Sequence, residues 1–136
     1  MVKLCYHEDH KVRSEAIWNF CNSTAVCTLD KIIVLVQNGL FKLFNDLIRD
    51  PEIIEDADTI KVIFNGIKNV LGHQKALESK MDSPNPLACN FLLEAERIGL
   101  CEAIEELQRH QNLEIYSQTH YIIRTYFPLK DQGSVL

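Results

Sequence analysis

Apolar side chains recur at spacings of three and four residues along nearly the whole sequence, the period of helices that bury one face. Val12, Ala16, Ile17, Phe20 and Cys21 form the first such stripe. Asp9 stands where it caps that helix, after what read as the last turns of another helix over residues 2–8. Ser23 and Thr24 loosen its end near Cys27. A short helix is expected over roughly 29–37, with Thr28 as cap and Asp30 near its positive end, and Gly39 stops it. Positions 40, 43, 44, 47 and 48 predict an amphipathic helix that runs to Arg49, where Asp50-Pro51 supplies a stop and a new start. The following helix, loosely formed near 55–58, carries Ile60, Val62, Ile63, Phe64, Ile67, Val70 and Leu71 as far as Gly72. Residues 73–86, with Ser79, Asp82, Ser83, Pro84 and Pro86, read as a polar surface loop. Helices over roughly 87–97, 100–109 and 113–127 follow, ended by Pro128, and the tail from 129 is expected to fray. Alternation with a period of two is sustained nowhere, and the run Ile32–Val36 is short and lies between helix caps. The expected class is all-α.

The first helix carries a second stripe. Glu15, Trp18 and Asn22 are three and four residues apart and fall on the side away from the apolar one. An amide on a rigid helix donates and accepts at once, so it can grip a peptide backbone without reading its sequence. Beside it, an indole offers a face to the stem and cation of a Lys or Arg, and a carboxylate takes the charge. That chemistry suits an extended basic peptide. The alternative is a large core tryptophan with two solvated neighbours.

With 14 basic and 19 acidic residues the net charge is −5, which disfavours nucleic acid and suits a basic partner. No apolar run is long enough to span a membrane, and no signal region opens the chain, so an intracellular location is expected. The five cysteines, Cys5, Cys21, Cys27, Cys89 and Cys101, are odd in number and contain no Cys-x-x-Cys pair; they read as buried thiols in a reducing compartment. His7 and His10, with Glu8 and Asp9 between them, lack a second ligand pair at a metal-binding spacing. No phosphate loop, nucleophile elbow or triad spacing is present, so neither a cofactor nor an enzyme activity is expected.

A repeat organises these helices. Gly39-Leu40 opens a segment that ends Leu47-Ile-Arg49, and Gly99-Leu100 opens one that ends Leu107-Gln-Arg109. Asn22 and Asn69 lie near the ends of the two long helices, 47 positions apart. A unit made of a short helix, a second helix and a long third one is the build of armadillo and HEAT solenoids, and the short first helix favours the armadillo type. The expected architecture is an armadillo-type α-solenoid of fewer than three full repeats over 1–128. It comprises a partial repeat over about 1–27, a repeat over about 28–72, the loop over about 73–86 and a last repeat over about 87–128, followed by the tail 129–136.

Glu15-Ala-Ile-Trp18-Asn-Phe-Cys-Asn22, the Gly39 turn, Asn69-Val-Leu and the C-terminal runs Leu92–Leu100, Ala103–His110, Glu114-Ile-Tyr116 and Ile122–Phe127 resemble the last repeats of the importin-α (karyopherin-α) family. The resemblance implies a nuclear import adaptor, shared between cytoplasm and nucleus. Trp18 and Asn22 would match the concave-groove pair that binds nuclear localisation signals, and Glu15 an acidic residue of the minor binding site. Asn69 would keep the amide of the next repeat, with Asn65 where a tryptophan would stand; Tyr121 and Thr125 occupy the equivalent places in the last repeat. Glu105, Arg109 and Tyr116 would lie on the surface that meets an export receptor and a nucleoporin. The alternative within the same architecture is a structural scaffold or array cap that binds no signal.

The resemblance also implies that the importin-β-binding arm and the earlier repeats are not in this sequence, as in a fragment or a much shortened relative. Val2, Leu4, Val12 and Ile17 are then candidates to line an uncovered edge, with self-association through it, unless residues 1–8 fold back over it.

Overall fold

The computed structural model describes residues 2–80 and 94–127, and every regular element among them is helical. A 3-10 turn over Val2–Tyr6 leads into α1 (His10–Ser23), which closes with a second 3-10 turn at Thr24–Val26. There follow α2 (Leu29–Gln37), α3 (Leu40–Arg49), the short α4 (Pro51–Glu55) and the long α5 (Ala57–Lys80). Residues 94–98 form α6, then come α7 (Leu100–Glu106), prolonged by a 3-10 turn at Leu107–Arg109, and α8 (Leu113–Tyr126). The architecture is an all-α armadillo-type solenoid.

Local chemistry sets these boundaries. Asp9 accepts from the N–H groups of Lys11 and Val12, Thr28 from Lys31, Asp50 from Glu52, and Asp56 from Thr59. Each such cap is worth about 1 kcal/mol. Asn112, which the sequence pattern did not single out, caps α8 through the N–H groups of Glu114 and Ile115. Gly39 and Gly99 turn the chain into α3 and α7 with φ of 95° and 94°, a left-handed conformation that glycine adopts without the Cβ clash of other residues.

The long third helices α1, α5 and α8 lie side by side and parallel. Trp18 meets Thr59, Cys21 faces Gly66 and Thr24 meets Asn69, in the same order along α1 and α5. Lys61 meets Glu114, Lys68 meets Gln118 and Gly72 approaches Tyr126, in the same order along α5 and α8. Behind this layer α3 packs on α5 and α7. The core between the layers is built from fully buried side chains that include Ile17, Phe41, Phe44, Leu47, Ile63, Phe64, Ile67, Ile104 and Ile122.

Polar ties join successive repeats. Arg13 donates from Nε to the Cys5 carbonyl at 2.8 Å and places Nη2 2.8 Å from Asp50 at the head of α4. Arg49, at the end of α3, reaches the Gly99 carbonyl and Glu106 at 3.4 Å. The His110 ring accepts at Nδ1 from the Asn112 N–H at 3.0 Å, and its Nε2 lies 2.9 Å from the Ile54 carbonyl. The carbonyl only accepts, so Nε2 carries the proton.

Three expectations are corrected. Residues 2–6 form a 3-10 turn rather than the end of an α-helix. The turn packs on α1 with Cys5 buried, and the Tyr6 hydroxyl ties it to α3 by donating to Asp46 at 2.9 Å. Gly72 does not end its helix, and residues 73–80, expected in a loop, continue α5 to Lys80. A glycine in right-handed conformation costs about 1 kcal/mol relative to alanine. Gln74, Lys75, Ala76, Leu77 and Glu78, all strong helix formers, follow it with no proline before Pro84. The rest of that loop, residues 81–86, lies outside the described residues, as do residues 87–93 of the helix expected over 87–97 and the tail. Ile17 is fully buried and cannot line a free edge, whereas Leu4 and Val12 are exposed. Asn69 is half-buried and bonded to Thr24.

Two glycines of α5 have opposite surroundings. A Cβ on Gly66 would come within 3.3 Å of Cβ and Sγ of Cys21 and 3.4 Å of the Phe44 ring, all buried, whereas at Gly72 the nearest atom is the Tyr126 hydroxyl at 3.9 Å. Gly72→Ala is therefore expected to raise stability by about 0.5–1 kcal/mol through helix propensity alone. Gly66→Ala is expected to lower stability, because α1 and α5 must separate. Urea unfolding midpoints for the two variants check this, and a stabilised Gly66→Ala would contradict the close approach.

Asp50 gives a pH dependence. Partial burial works against its charge, but the Arg13 guanidinium and the N–H groups of Glu52 and Ile53 outweigh it and hold the carboxyl below the usual aspartate value. A carboxylate depressed in the folded state contributes stability above its unfolded pKa of about 3.9, and that stability is lost as pH falls through the folded value. Asp50→Asn should therefore reduce stability at neutral pH and flatten the loss below about pH 4, as read from thermal midpoints across an acid series.

Candidate functional site

At about 100° per residue, Glu15 and Asn22 point away from the buried side of α1, where Ala16, Ile17, Phe20 and Cys21 lie. Trp18 leans from this outer face towards α5. All three sequence-predicted residues of the stripe are exposed, Trp18 at 40%. The indole N–H donates to the Thr59 hydroxyl at 3.2 Å, and that buried hydroxyl donates in turn to the Asp56 carboxylate at 2.7 Å. The tryptophan is thus clamped by one edge to the first turn of α5 while much of its surface stays open. It is neither a core residue nor a freely rotating one.

Ser14, Glu15, Trp18 and Asn19 line an open groove of about 460 Å³ on this face. Asn19 was missed in the sequence, although its position four residues after Glu15 puts it on the same side of the helix. Among the described residues Glu15 makes no ion pair. The face therefore offers an aromatic surface, an uncompensated carboxylate and two amides, a set able to hold a cation and the backbone next to it.

Asn65 and Asn69 continue the polar row on α5, but in different states. Asn65 is exposed. Asn69 donates its amide N–H to the Thr24 hydroxyl at 3.0 Å, and Thr24, fully buried, donates to the Cys21 carbonyl. One donor of Asn69 is thereby committed to holding α5 against the end of α1.

On α8, Tyr121 is exposed and Thr125 half-buried. The Lys68 ammonium of α5 lies over the Tyr121 ring, 5.6 Å from its centre. Of the residues expected to meet transport partners, Glu105 and Arg109 are one turn apart at the end of α7 and in the turn after it, half-buried and exposed respectively. Tyr116 is exposed on α8, where its ring stands edge-on to His120 with 4.7 Å between centroids.

Cys5, Cys21 and Cys101 are buried and Cys27 half-buried, while Cys89 lies outside the described residues. Burial raises the thiols of Cys5 and Cys21, that of Cys21 to about 12, which leaves it without a reactive thiolate. His7 caps the backbone N–H of Asp9, and His10 turns to Glu52 at 3.8 Å, so the two histidines do not converge. Among the described residues no three His, Cys, Asp or Glu side chains form a metal-binding group, and no helix is long and apolar enough to cross a membrane.

Residues 91–135 match the family model of the atypical Arm repeat. The chain is 27% identical to importin subunit alpha-5 of Arabidopsis thaliana over all of its 136 residues, which cover 24% of that protein. It is 24% identical to importin subunit alpha-8 of Mus musculus, again over its whole length and 25% of that protein. Importin subunit alpha-2 of Arabidopsis thaliana is 33% identical over 109 residues, or 79% of this chain and 19% of that relative. The chain thus spans about a quarter or less of the length of the curated relatives it matches. Alignments that run through the whole chain, joined to an Arm-repeat match at its C-terminal end, relate it to the armadillo repeats of importin-α.

Proposed function

We propose that this chain acts by binding rather than catalysis, as part of a nuclear import adaptor, and that the outer face of α1 takes a Lys/Arg-rich nuclear localisation signal peptide as half of a minor site. The observation that carries this reading is the posture of Trp18, fixed at its indole N–H by Thr59 yet 40% exposed beside Glu15 and Asn22. An aromatic held in place loses little entropy when a cation settles on it. Glu15 supplies the countercharge, Asn22 the backbone grip, and Asn65 with the remaining capacity of Asn69 extends the amide row along α5. A net charge of −5 favours the approach of a basic peptide.

In the same reading, Glu105, Arg109 and Tyr116 serve protein partners, an export receptor and a nucleoporin, and the protein is shared between cytoplasm and nucleus. Exposed Leu4 and Val12 make the α1 edge the place for self-association.

One observation favours a purely structural role. The bonds Trp18–Thr59 and Asn69–Thr24 join α1 to α5, and a scaffold or array cap needs them with or without cargo.

A titration separates the two readings. Trp18 is the single tryptophan, so its fluorescence reports this face alone. One aromatic wall contributes about 0.5–2 kcal/mol of cation–π attraction, so a Lys/Arg-rich peptide is expected to bind weakly, with Kd about 0.1–1 mM. Anisotropy of the labelled peptide should show binding lost in Trp18→Ala and weakened in Glu15→Ala. A fluorescence signal that stays flat into the millimolar range would leave the scaffold role, and anisotropy unchanged by both substitutions would move the site elsewhere.

A further inference from the structure

The valley between α5 and α8 contains the same kinds of group as the face of α1, and a cation already sits in it. Lys68 extends from α5 so that its ammonium lies 5.6 Å from the centre of the Tyr121 ring and donates to the Gln118 side-chain carbonyl at 2.7 Å. Its stem is half-buried. Among the described residues Lys68 makes no ion pair, because the carboxylate that α8 offers, Glu114, is bound by Lys61, which also lies 3.6 Å from Asp58. The ammonium is thus held by an aromatic ring and an amide oxygen alone. Burial pushes its pKa below the ordinary lysine value.

We propose that the Tyr121–Gln118 cradle is a second cation-binding position of the peptide-binding face and that the chain fills it with its own Lys68. This rests on the reading of the α1 face as a site for a basic peptide, and it adds where that site ends. A lysine or arginine arriving from a peptide would make the contacts Lys68 makes. It meets an occupied ring and a repelling ammonium. At α1 the corresponding neighbour of the aromatic is the neutral Thr59 hydroxyl, so that position stays open. Lys68 is therefore a specificity determinant that confines recognition to a short basic cluster beside α1. The bland reading is a lysine whose stem covers apolar surface while its head finds whatever polar contact is near.

The test uses the full chain and a labelled peptide with two Lys/Arg clusters joined by a Gly-Ser spacer. Lys68→Ala empties the cradle, and alanine is the best residue for a helix interior; circular dichroism confirms that helicity is kept. Affinity is expected to rise about twofold to thirtyfold, the range of one cation–π contact, and Tyr121→Ala in the Lys68→Ala background should abolish that rise. Lys42→Ala removes a lysine from α3, where it pairs with Asp46, and controls for the change in net charge. An affinity for Lys68→Ala equal to that of the unaltered chain would overturn the proposal, as would a gain matched by Lys42→Ala or one that survives Tyr121→Ala. Trp18→Ala in the Lys68→Ala background keeps the two readings apart. Binding that then depends on Tyr121 alone supports the cradle even where the α1 site fails. Binding that depends on Trp18 alone, with no gain from Lys68→Ala, keeps the α1 site and removes the cradle.

Discussion

The close approach of α1 and α5 at Gly66 fixes most of what surrounds it. With no Cβ at that position, Cys21 can lie so near the α5 backbone that an added methyl would be 3.3 Å from its Cβ and Sγ. Contact at that distance sets the register of the two helices, and the polar pairs on either side follow from it. Trp18 reaches Thr59 towards one end, and Thr24 reaches Asn69 towards the other. The approach also closes the core beneath, where Ile17, Ile63 and Ile67 are fully buried. Each such side chain contributes about 1.5–3 kcal/mol. Wider spacing would thin this core and unhook the indole at the same time, so the stability of the array and the shape of its outer face depend on one residue without a side chain.

Hydrophobic stripes alone would allow the repeats to slide over one another, since apolar contact has little direction. Three polar residues remove that freedom. Arg13 ties α1 to the first turn of α4, Arg49 ties the end of α3 to the entry and end of α7, and His110 ties the turn after α7 to the end of α4. In the His110 tie Nδ1 accepts from the Asn112 N–H while Nε2 donates to the Ile54 carbonyl. All three reach backbone carbonyls or helix-capping carboxylates, groups already fixed in place by the helices they end.

Much of this was legible in the sequence, for identifiable reasons. Caps such as Asp9, Thr28 and Asp50 act within three residues of themselves, and the turns at Gly39 and Gly99 need a conformation that glycine supplies, so local spacing revealed them. The stripes on α3 and α5 marked the core correctly because helix periodicity is also local. Gly72 misled because a glycine reads as a stop whether or not strong helix formers follow, and here they carry α5 on to Lys80. At the candidate site, exposure of Glu15 and Asn22 followed from the position of the apolar stripe, whereas spacing alone left Trp18 open between an exposed and a core position. The states of Trp18 and Asn69 did not follow, since their partners Thr59 and Thr24 lie more than forty residues away. The same distance hid Lys68 over Tyr121.

How an aromatic is held decides what it can still do. Trp18 is bonded at its one polar edge atom by a buried hydroxyl whose own proton goes to Asp56. That bond fixes the ring and leaves two-fifths of the residue exposed. Tyr121 is met across its ring by an ammonium, the group an aromatic surface attracts most strongly. Both rings stand on third helices and both are held by α5, but one contact leaves the cation-attracting surface available and the other uses it. The difference lies in the two residues of α5 that come opposite them: a short neutral hydroxyl in the first turn, and a long cation in the middle of the helix. A single long helix can therefore leave one neighbouring ring open and cover the other.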